Sequence, residues 1–194
     1  MTMSSLSAPF SVQEQAQSNA GILLFSGLVA QVALLLKRYA LESPLLLIAM
    51  LTIFIIAFVL AVFLMQLRVF QHKSRLTRVR QGFVISAVGT LLLILTLHDL
   101  PGELSLLTAM IVSGLGQGMV YAVAIHQGKK EGHALWRHTQ APALLIAGVI
   151  LAVAAVLLIQ SSFSGVTGFP YAFALLIDLS LLAALYVRVV ELES

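Results

Sequence analysis

Seven consecutive apolar residues stand near the start of the second of six apolar stretches in this chain: Leu45-Leu46-Leu47-Ile48-Ala49-Met50-Leu51. A membrane β-strand alternates apolar and polar side chains over about 10 residues, and this run does not alternate. In hydrocarbon every backbone N–H and C=O group needs a partner inside the protein, so helices are the alternative to a closed barrel. The run therefore predicts a membrane-spanning α-helix.

The six apolar stretches together account for most of the chain. They cover residues 20–36, 44–67, 82–97, 104–125, 142–160 and 171–190. A helix needs about 17–25 residues to cross a hydrocarbon core of about 30 Å, and the third stretch reaches that length only with His98 at the interface. We therefore predict an all-α, polytopic membrane bundle of six transmembrane helices. Residues 20–190 would form its single domain, between a polar tail at 1–19 and a short tail at 191–194.

The composition agrees with lipid as the solvent. Hydrophobic residues make up 60% of the chain and charged residues only 10%, whereas about a quarter of a soluble domain is charged. The chain has no cysteine, which excludes disulfides, thiolate chemistry and cysteine-ligated metal clusters. The five histidines stand at the ends of stretches or in loops. We therefore predict neither a metal site nor another cofactor.

The positions of lysine and arginine predict the orientation, because cytoplasmic loops retain these residues. With six spans and the N-terminus inside, only Lys37 and Arg38 of the 11 basic residues fall outside. We therefore predict cytoplasmic termini, cytoplasmic loops at 68–81 and 126–141, and an inner membrane. Because Lys37 and Arg38 lie on the outer side in this orientation, we also consider a five-span variant, in which residues 20–36 lie in the interface or form a re-entrant segment.

The loop after the second stretch carries a run of basic residues. Its members are Arg68, Lys73, Arg75, Arg78 and Arg80. Basic residues beside a membrane helix attract anionic lipid, so we predict that this run contacts lipid headgroups. Nucleic-acid binding is not expected of a short loop tethered at a membrane.

The fourth stretch contains three closely spaced glycines, Gly114, Gly116 and Gly118. Small residues let membrane helices approach closely, and Gly114 and Gly118 have the GxxxG spacing of such contacts. We interpret the glycines as a helix-packing surface, with a hinge beside a pathway as the alternative. Gly82, Ser86 and Thr90 of the third stretch share one helix face and indicate a second packing surface.

Asp178 lies inside the last apolar stretch, where a carboxylate is costly unless it is paired, hydrated or protonated. One interpretation is an acid that faces a cavity and binds a proton or a cation. The other is a protonated side chain that forms a structural hydrogen bond to a neighbouring helix. Gln117 and Tyr121, one turn apart, and Gln31 are further candidate substrate- or ion-binding residues.

The chain lacks the residue patterns of common enzyme sites. The sequence shows no suitably spaced pair of carboxylates, no glycine-rich phosphate loop after a strand and no Ser/His/Asp arrangement. We therefore nominate no catalytic residue, and an enzyme is the less favoured class.

Three segments resemble parts of a known transporter family. They are a basic loop that enters a small-residue helix at 74–85, the glycine-rich residues 114–118, and residues 131–140 before the fifth stretch. They are similar to the C-terminal six-helix half of a major facilitator superfamily transporter of the drug/proton antiporter branch. The resemblance implies a unit of inverted three-helix repeats that needs a second copy or a partner to enclose a pathway. The family's acidic residue in the basic inner-loop motif is absent from 68–81.

Two functional hypotheses follow. In the first, the chain is a transporter or half-transporter that moves a small solute, with Asp178 carrying a coupled proton or cation. In the second, it is a non-catalytic membrane subunit or scaffold, whose small-residue stripes bind partner helices. The expected partners are the lipid bilayer and either a second copy or another membrane subunit.

Overall fold

The computed structural model describes residues 12–40, 42–67, 74–98, 103–123 and 168–193, and these ranges are helical except for a few turn and connecting residues at their ends. The helices are α1 Val12–Tyr39, α2 Pro44–Leu64, α3 Arg75–His98, α4 Glu103–Tyr121 and α5 Gly168–Glu193. The predicted all-α fold is confirmed for this part of the chain.

Each of the five helices contains a segment long and apolar enough to cross a membrane. These segments are Asn19–Tyr39, Pro44–Leu64, Arg75–Thr96, Leu104–Tyr121 and Ala172–Val189. They fit an integral multi-pass membrane protein. The described residues thus hold five candidate spans rather than six, and the predicted fifth span, 142–160, lies outside them. The predicted sidedness stays a prediction.

The first span is longer than its apolar stretch. Helix α1 begins at Val12, inside the predicted polar tail, and continues without a break to Tyr39. A re-entrant segment is incompatible with one continuous helix of 28 residues. Leu34 and Leu35 are fully buried in the core, as expected of a helix inside the bundle. At its C-terminal end Arg38 donates a 3.1 Å hydrogen bond to Glu42 Oε1, which partly offsets the charge on that side.

Helix α3 is central, because it packs extensively on both α4 and α5. Helix α2 packs on α4, and α1 lies mainly along α5. One face of α2 is buried at alternating spacings of three and four residues: Leu47, Met50, Phe54, Ala57 and Ala61. Its opposite face is apolar and exposed, with Leu45 82% accessible. A helix that is apolar on all sides fits a lipid environment, since lipid can cover that outer face.

Glycines bring α4 against its neighbours on two sides. A Cβ atom built on Gly116 would lie 2.7 Å from the Gly82 carbonyl oxygen and 2.8 Å from Ser86 Cα, both on α3. A Cβ on Gly114 would lie 2.6 Å from the Phe54 carbonyl oxygen of α2, and one on Gly118 would meet the Phe58 carbonyl. Gly114 and Gly118 therefore contact α2 of the same chain and do not form a free face for another protein.

Among the described residues, the apolar core forms two clusters at opposite ends of the bundle. The Leu34 cluster contains Ala30, Leu34, Leu35, Tyr39, Leu47, Met50, Phe54, Leu93, Leu106, Ala109, Met110, Ala172, Phe173 and Leu176. The Phe83 cluster contains Ala20, Leu24, Leu76, Val79, Phe83, Val120, Val123, Ala183, Ala184 and Val187. On α1, α3, α4 and α5 the clusters occupy opposite halves of each helix, so the residues between them lie near mid-depth.

Candidate functional site

A buried polar cluster, which we call the amide cluster, joins α1 to α4 beside the Leu34 cluster. It consists of Gln31, Ser113 and Gln117, and the Gln31 and Gln117 side chains are only 3% and 5% exposed. Gln117 Nε2 donates to Gln31 Oε1 at 2.7 Å. Gln31 Nε2 lies 3.2 Å from Ser113 Oγ and donates to it. Buried polar groups need such partners, so the cluster fixes α1 against α4.

One polar atom of the amide cluster has no hydrogen-bond partner among the described residues. This atom is Gln117 Oε1, which is buried. In the orientation that the structure gives, the unpaired atom is therefore an acceptor, whereas rotating both amides by 180° would reverse the bond between Gln31 and Gln117 and leave the donor Nε2 of Gln117 unpaired. A buried amide group without a partner costs free energy, which a bound molecule or water would recover.

Gln117 and Gln31 line a cavity of about 280 Å³. The walls come from four helices: Ile22, Leu23, Leu24, Ser26, Gly27, Leu28 and Gln31 of α1, Phe83, Ser86 and Thr90 of α3, Gln117 of α4, and Leu175, Leu176, Leu179 and Ser180 of α5. Leu24 and Phe83 of this lining belong to the Phe83 cluster and Leu176 belongs to the Leu34 cluster, so the cavity is in contact with both clusters. The cavity therefore lies near the middle of the spans, where a substrate site between membrane helices is expected.

Hydroxyl groups add a few polar points to a mainly apolar lining. Ser26 donates to the Ile22 carbonyl at 2.9 Å, Thr90 to the Ser86 carbonyl at 3.0 Å, and Ser180 to the Leu176 carbonyl at 2.9 Å. Their protons are thus used within their own helices, and their oxygens remain as acceptors. Among the described residues that line the cavity, none has an ionisable side chain.

Gly27 opens the α1 side of the cavity. A Cβ atom built on Gly27 would have no heavy atom within 4 Å, in contrast to Gly114 and Gly116, where it would meet backbone. The space beside Gly27 is therefore room in the cavity rather than a helix–helix contact. A larger side chain at this position would occupy the cavity without moving a helix.

Tyr121 lies one turn beyond Gln117, but it does not line the cavity. Its ring packs on Phe58 of α2, with centroids 5.3 Å apart, and meets Phe25 of α1 edge-on at 6.5 Å. The Phe58 ring in turn contacts Phe54. Such aromatic pairs stabilise helix packing, so the structure places Tyr121 in the α1–α2–α4 contact.

Asp178 also lies away from the cavity. Its side chain is exposed, whereas Leu179 and Ser180 line the cavity. Asp178 precedes Ser180 by two residues, which turns the two side chains about 200° apart around the helix axis. Around it, the outer face of α5 is apolar and includes exposed Leu181, Leu182 and Leu185. The structure therefore brings Gln31 and Gln117 together and keeps Asp178 apart from them.

The structure describes only three of the five basic residues predicted to contact lipid headgroups. Arg68 and Lys73 lie outside the described residues. Arg75 and Arg80 are half-buried on α3, and Arg78 is only 5% exposed. The Arg78 side chain is thus largely covered by the protein, and its contact with lipid headgroups stays a prediction. Ser74, just before this helix, accepts the Thr77 N–H at 3.1 Å and caps its N-terminus.

Ser113 of the amide cluster and several residues that line the cavity were difficult to identify from the sequence. Ser113 stands one turn before Gln117 on the same helix face, and this i, i+4 spacing was the available sign of a polar cluster. Gly27 is an isolated glycine, and Ser26 and Ser180 are single hydroxyls that usually bond within their own helix. Only the packing of four helices brings them around one space.

The arrangement is suited to holding a small molecule by apolar contact and a few hydrogen bonds. Within the ranges the structure describes, no group of three or more His, Asp or Glu side chains could hold a metal ion. No protein-family model, curated protein or solved structure matches this chain.

Proposed function

We propose that the protein binds a small solute in the mid-depth cavity and moves it across or out of the membrane. The observation that carries the proposal is that Gln117, whose Oε1 is unpaired, lines a cavity of about 280 Å³. A purely structural amide pair would be expected to satisfy its own atoms, because buried polar groups rarely lack partners. The unpaired atom and the adjacent space together indicate a ligand.

The construction of the walls supports the same proposal. Helices α3 and α4 are held together by backbone contact at Gly82 and Gly116 and form a firm wall. Helix α1, the opposite wall, makes fewer contacts with α3 and α4 and is held there by the amide cluster. A cavity between a tightly packed helix pair and a less tightly packed helix can open by movement of that one helix, and a solute needs such an opening to enter and leave. In this proposal Asp178 carries no coupled proton to the site, since its side chain lies outside the cavity.

Replacing Gly27 with Phe is expected to block solute movement while the fold survives, because its side chain enters open space. The measurement is uptake of radiolabelled glycerol, butane-1,4-diol, tetramethylammonium and acetate into vesicles containing purified protein. Wild-type vesicles should take up at least one of these faster than protein-free vesicles, and Gly27→Phe should return that rate to the protein-free value. Gly27→Ala, which adds one methyl group, should keep most of the rate.

The proposal is contradicted if the wild-type protein moves none of the four solutes. It is also contradicted if Gly27→Phe vesicles match the wild type for every solute that moves. Size-exclusion profiles of the three proteins in the same detergent establish that they are equally well folded.

A second candidate function, a non-catalytic membrane subunit, is favoured by the position of Asp178. The residue lies near the middle of the span Ala172–Val189 and is exposed on an apolar helix face. A carboxylate at this depth is expected to find a partner or a proton. A polar group on another helix, from a second copy or from another subunit, would provide such a partner.

For this second function, Asp178→Asn is expected to lower the mass of the particle extracted from native membranes. The measurement is light scattering coupled to size exclusion in a mild detergent, with Ser180→Ala as the control on the cavity side of α5. A lower mass for Asp178→Asn alone would support the subunit function. An equal mass for both variants and the wild type would contradict it.

A further inference from the structure

The four-helix cavity limits which solutes it can hold. On the basis of the proposed function, we infer that the ligand is uncharged, mainly apolar and equipped with one hydrogen-bond donor, such as an alcohol with a short hydrocarbon chain. The donor would bond to Gln117 Oε1, and the hydrocarbon part would lie against Leu175, Leu179 and Phe83.

The size of the cavity sets the first limit. A dry apolar cavity of about 150 Å³ holds benzene, and pockets for drug-sized ligands begin at about 300 Å³. The cavity of about 280 Å³ lies between these values. It therefore suits a molecule larger than benzene and smaller than a typical drug.

The absence of charge sets the second limit. None of the described lining residues is ionisable, so an ion in the cavity would lack a partner of opposite charge. Removing an ion from water into a mainly apolar site is far more costly than removing a hydroxyl group, which needs only one hydrogen bond. The lining therefore selects against both cations and anions.

The polarity of the free groups sets the third limit. The Ser26, Thr90 and Ser180 protons bond to carbonyls of their own helices, so on these three lining residues the oxygens remain as acceptors. Gln117 adds an acceptor without a partner. A ligand with a donor satisfies this lining, whereas a ligand with acceptors alone does not.

Photolabelling of the intact protein in lipid nanodiscs tests the inference. The two probes are a hexanol that carries a diazirine and its methyl ether, which differs only by the lost donor. Mass spectrometry should find the hexanol probe on lining residues such as Leu175 and Leu179, and excess hexanol should compete with it. One lost buried hydrogen bond corresponds to about a tenfold weaker affinity, so the ether should label these residues about tenfold less.

Two variants connect the labelling to the site. Gln117→Leu should reduce labelling by the hexanol probe to the level of the ether and leave labelling by the ether unchanged. Gly27→Phe should remove labelling of the cavity by both probes. If Gln117→Leu does not fold, the comparison of the two probes on the wild-type protein is decisive by itself.

The outcomes separate the ligand class from the proposed function. Equal labelling by the two probes in the wild type, with loss of both in Gly27→Phe, would overturn the ligand class and keep the cavity as a solute site. Faster uptake of tetramethylammonium or acetate than of butane-1,4-diol would do the same. Labelling that Gly27→Phe leaves unchanged would overturn the ligand class together with the cavity site.

Discussion

Replacing Gly116 with Ala is expected to destabilise the bundle by about 3 kcal/mol or more, at the upper end of overpacking effects. The added Cβ would lie 2.7 Å from the Gly82 carbonyl oxygen and would also meet the Ser86 backbone nitrogen. These atoms belong to the backbone of α3 and cannot rotate away. Helices α3 and α4 would have to separate, which also disturbs the apolar contacts on either side.

Gly27→Ala is the matched control, since it makes the same change on a helix where the Cβ meets nothing. Replacing a mid-helix glycine with alanine is expected to add about 0.5–1 kcal/mol of stability, because glycine loses more conformational entropy than alanine when the helix forms. Thermal unfolding in one detergent should therefore show a much lower midpoint for Gly116→Ala and an equal or higher midpoint for Gly27→Ala. Similar midpoints for both variants would show that α3 and α4 do not touch at Gly116.

Replacing Gln31 with Leu is the second change with a large expected effect, about 1–2 kcal/mol of lost stability. It removes the acceptor of the 2.7 Å bond from Gln117 and one partner of Ser113. The Gln117 amide then keeps only its longer contact of 3.4 Å with Ser113 Oγ, and a buried group that loses its partner costs about 1–3 kcal/mol. Interhelical hydrogen bonds in membrane proteins contribute about 0.6 kcal/mol to stability on average and about 1.7 kcal/mol at most. We therefore expect the loss of stability for Gln31→Leu to lie in the lower part of the range of about 1–3 kcal/mol.

A double-mutant cycle isolates the bond between Gln31 and Gln117. The variant with both residues changed to Leu should be more stable than the sum of the single effects predicts, because neither amide is then left unpaired. Ser26→Ala serves as the control, since its hydroxyl bonds within α1 and its loss should have little effect. Additive effects of Gln31→Leu and Gln117→Leu would contradict a direct bond between the two helices.

The helices could be predicted well because hydropathy reports directly on membrane helices. The stretch 44–67 became α2, Pro44–Leu64, and proline fits the first turn of a helix. The start of α1 was less predictable. Residues 12–19 are largely polar, so a hydropathy criterion leaves them out of the predicted membrane span. Most of these residue types, such as glutamine, glutamate and alanine, nevertheless have good helix propensity, so the helix can begin before its apolar part.

The candidate site could be predicted only in part. Polar residues at depth pointed to Gln31 and Gln117, which the structure places in one hydrogen-bonded cluster. The direction of Asp178 could not be derived from the sequence, because it depends on which face of α5 packs on α1 and α3. The cavity itself depends on empty space beside Gly27, and a single glycine has no pattern that predicts such space.

The sequence separation inside the amide cluster also constrains how the protein is made. Gln31 and Gln117 are 86 residues apart, so the ribosome adds Gln117 about 4–17 s after Gln31 at about 5–20 residues per second. During that interval the amide of α1 has no native partner, and an unpaired amide is costly in hydrocarbon. Water or the insertion machinery must accompany α1 until α4 arrives. Helix α1 is thus synthesised well before the helix that supplies the partner of its buried amide.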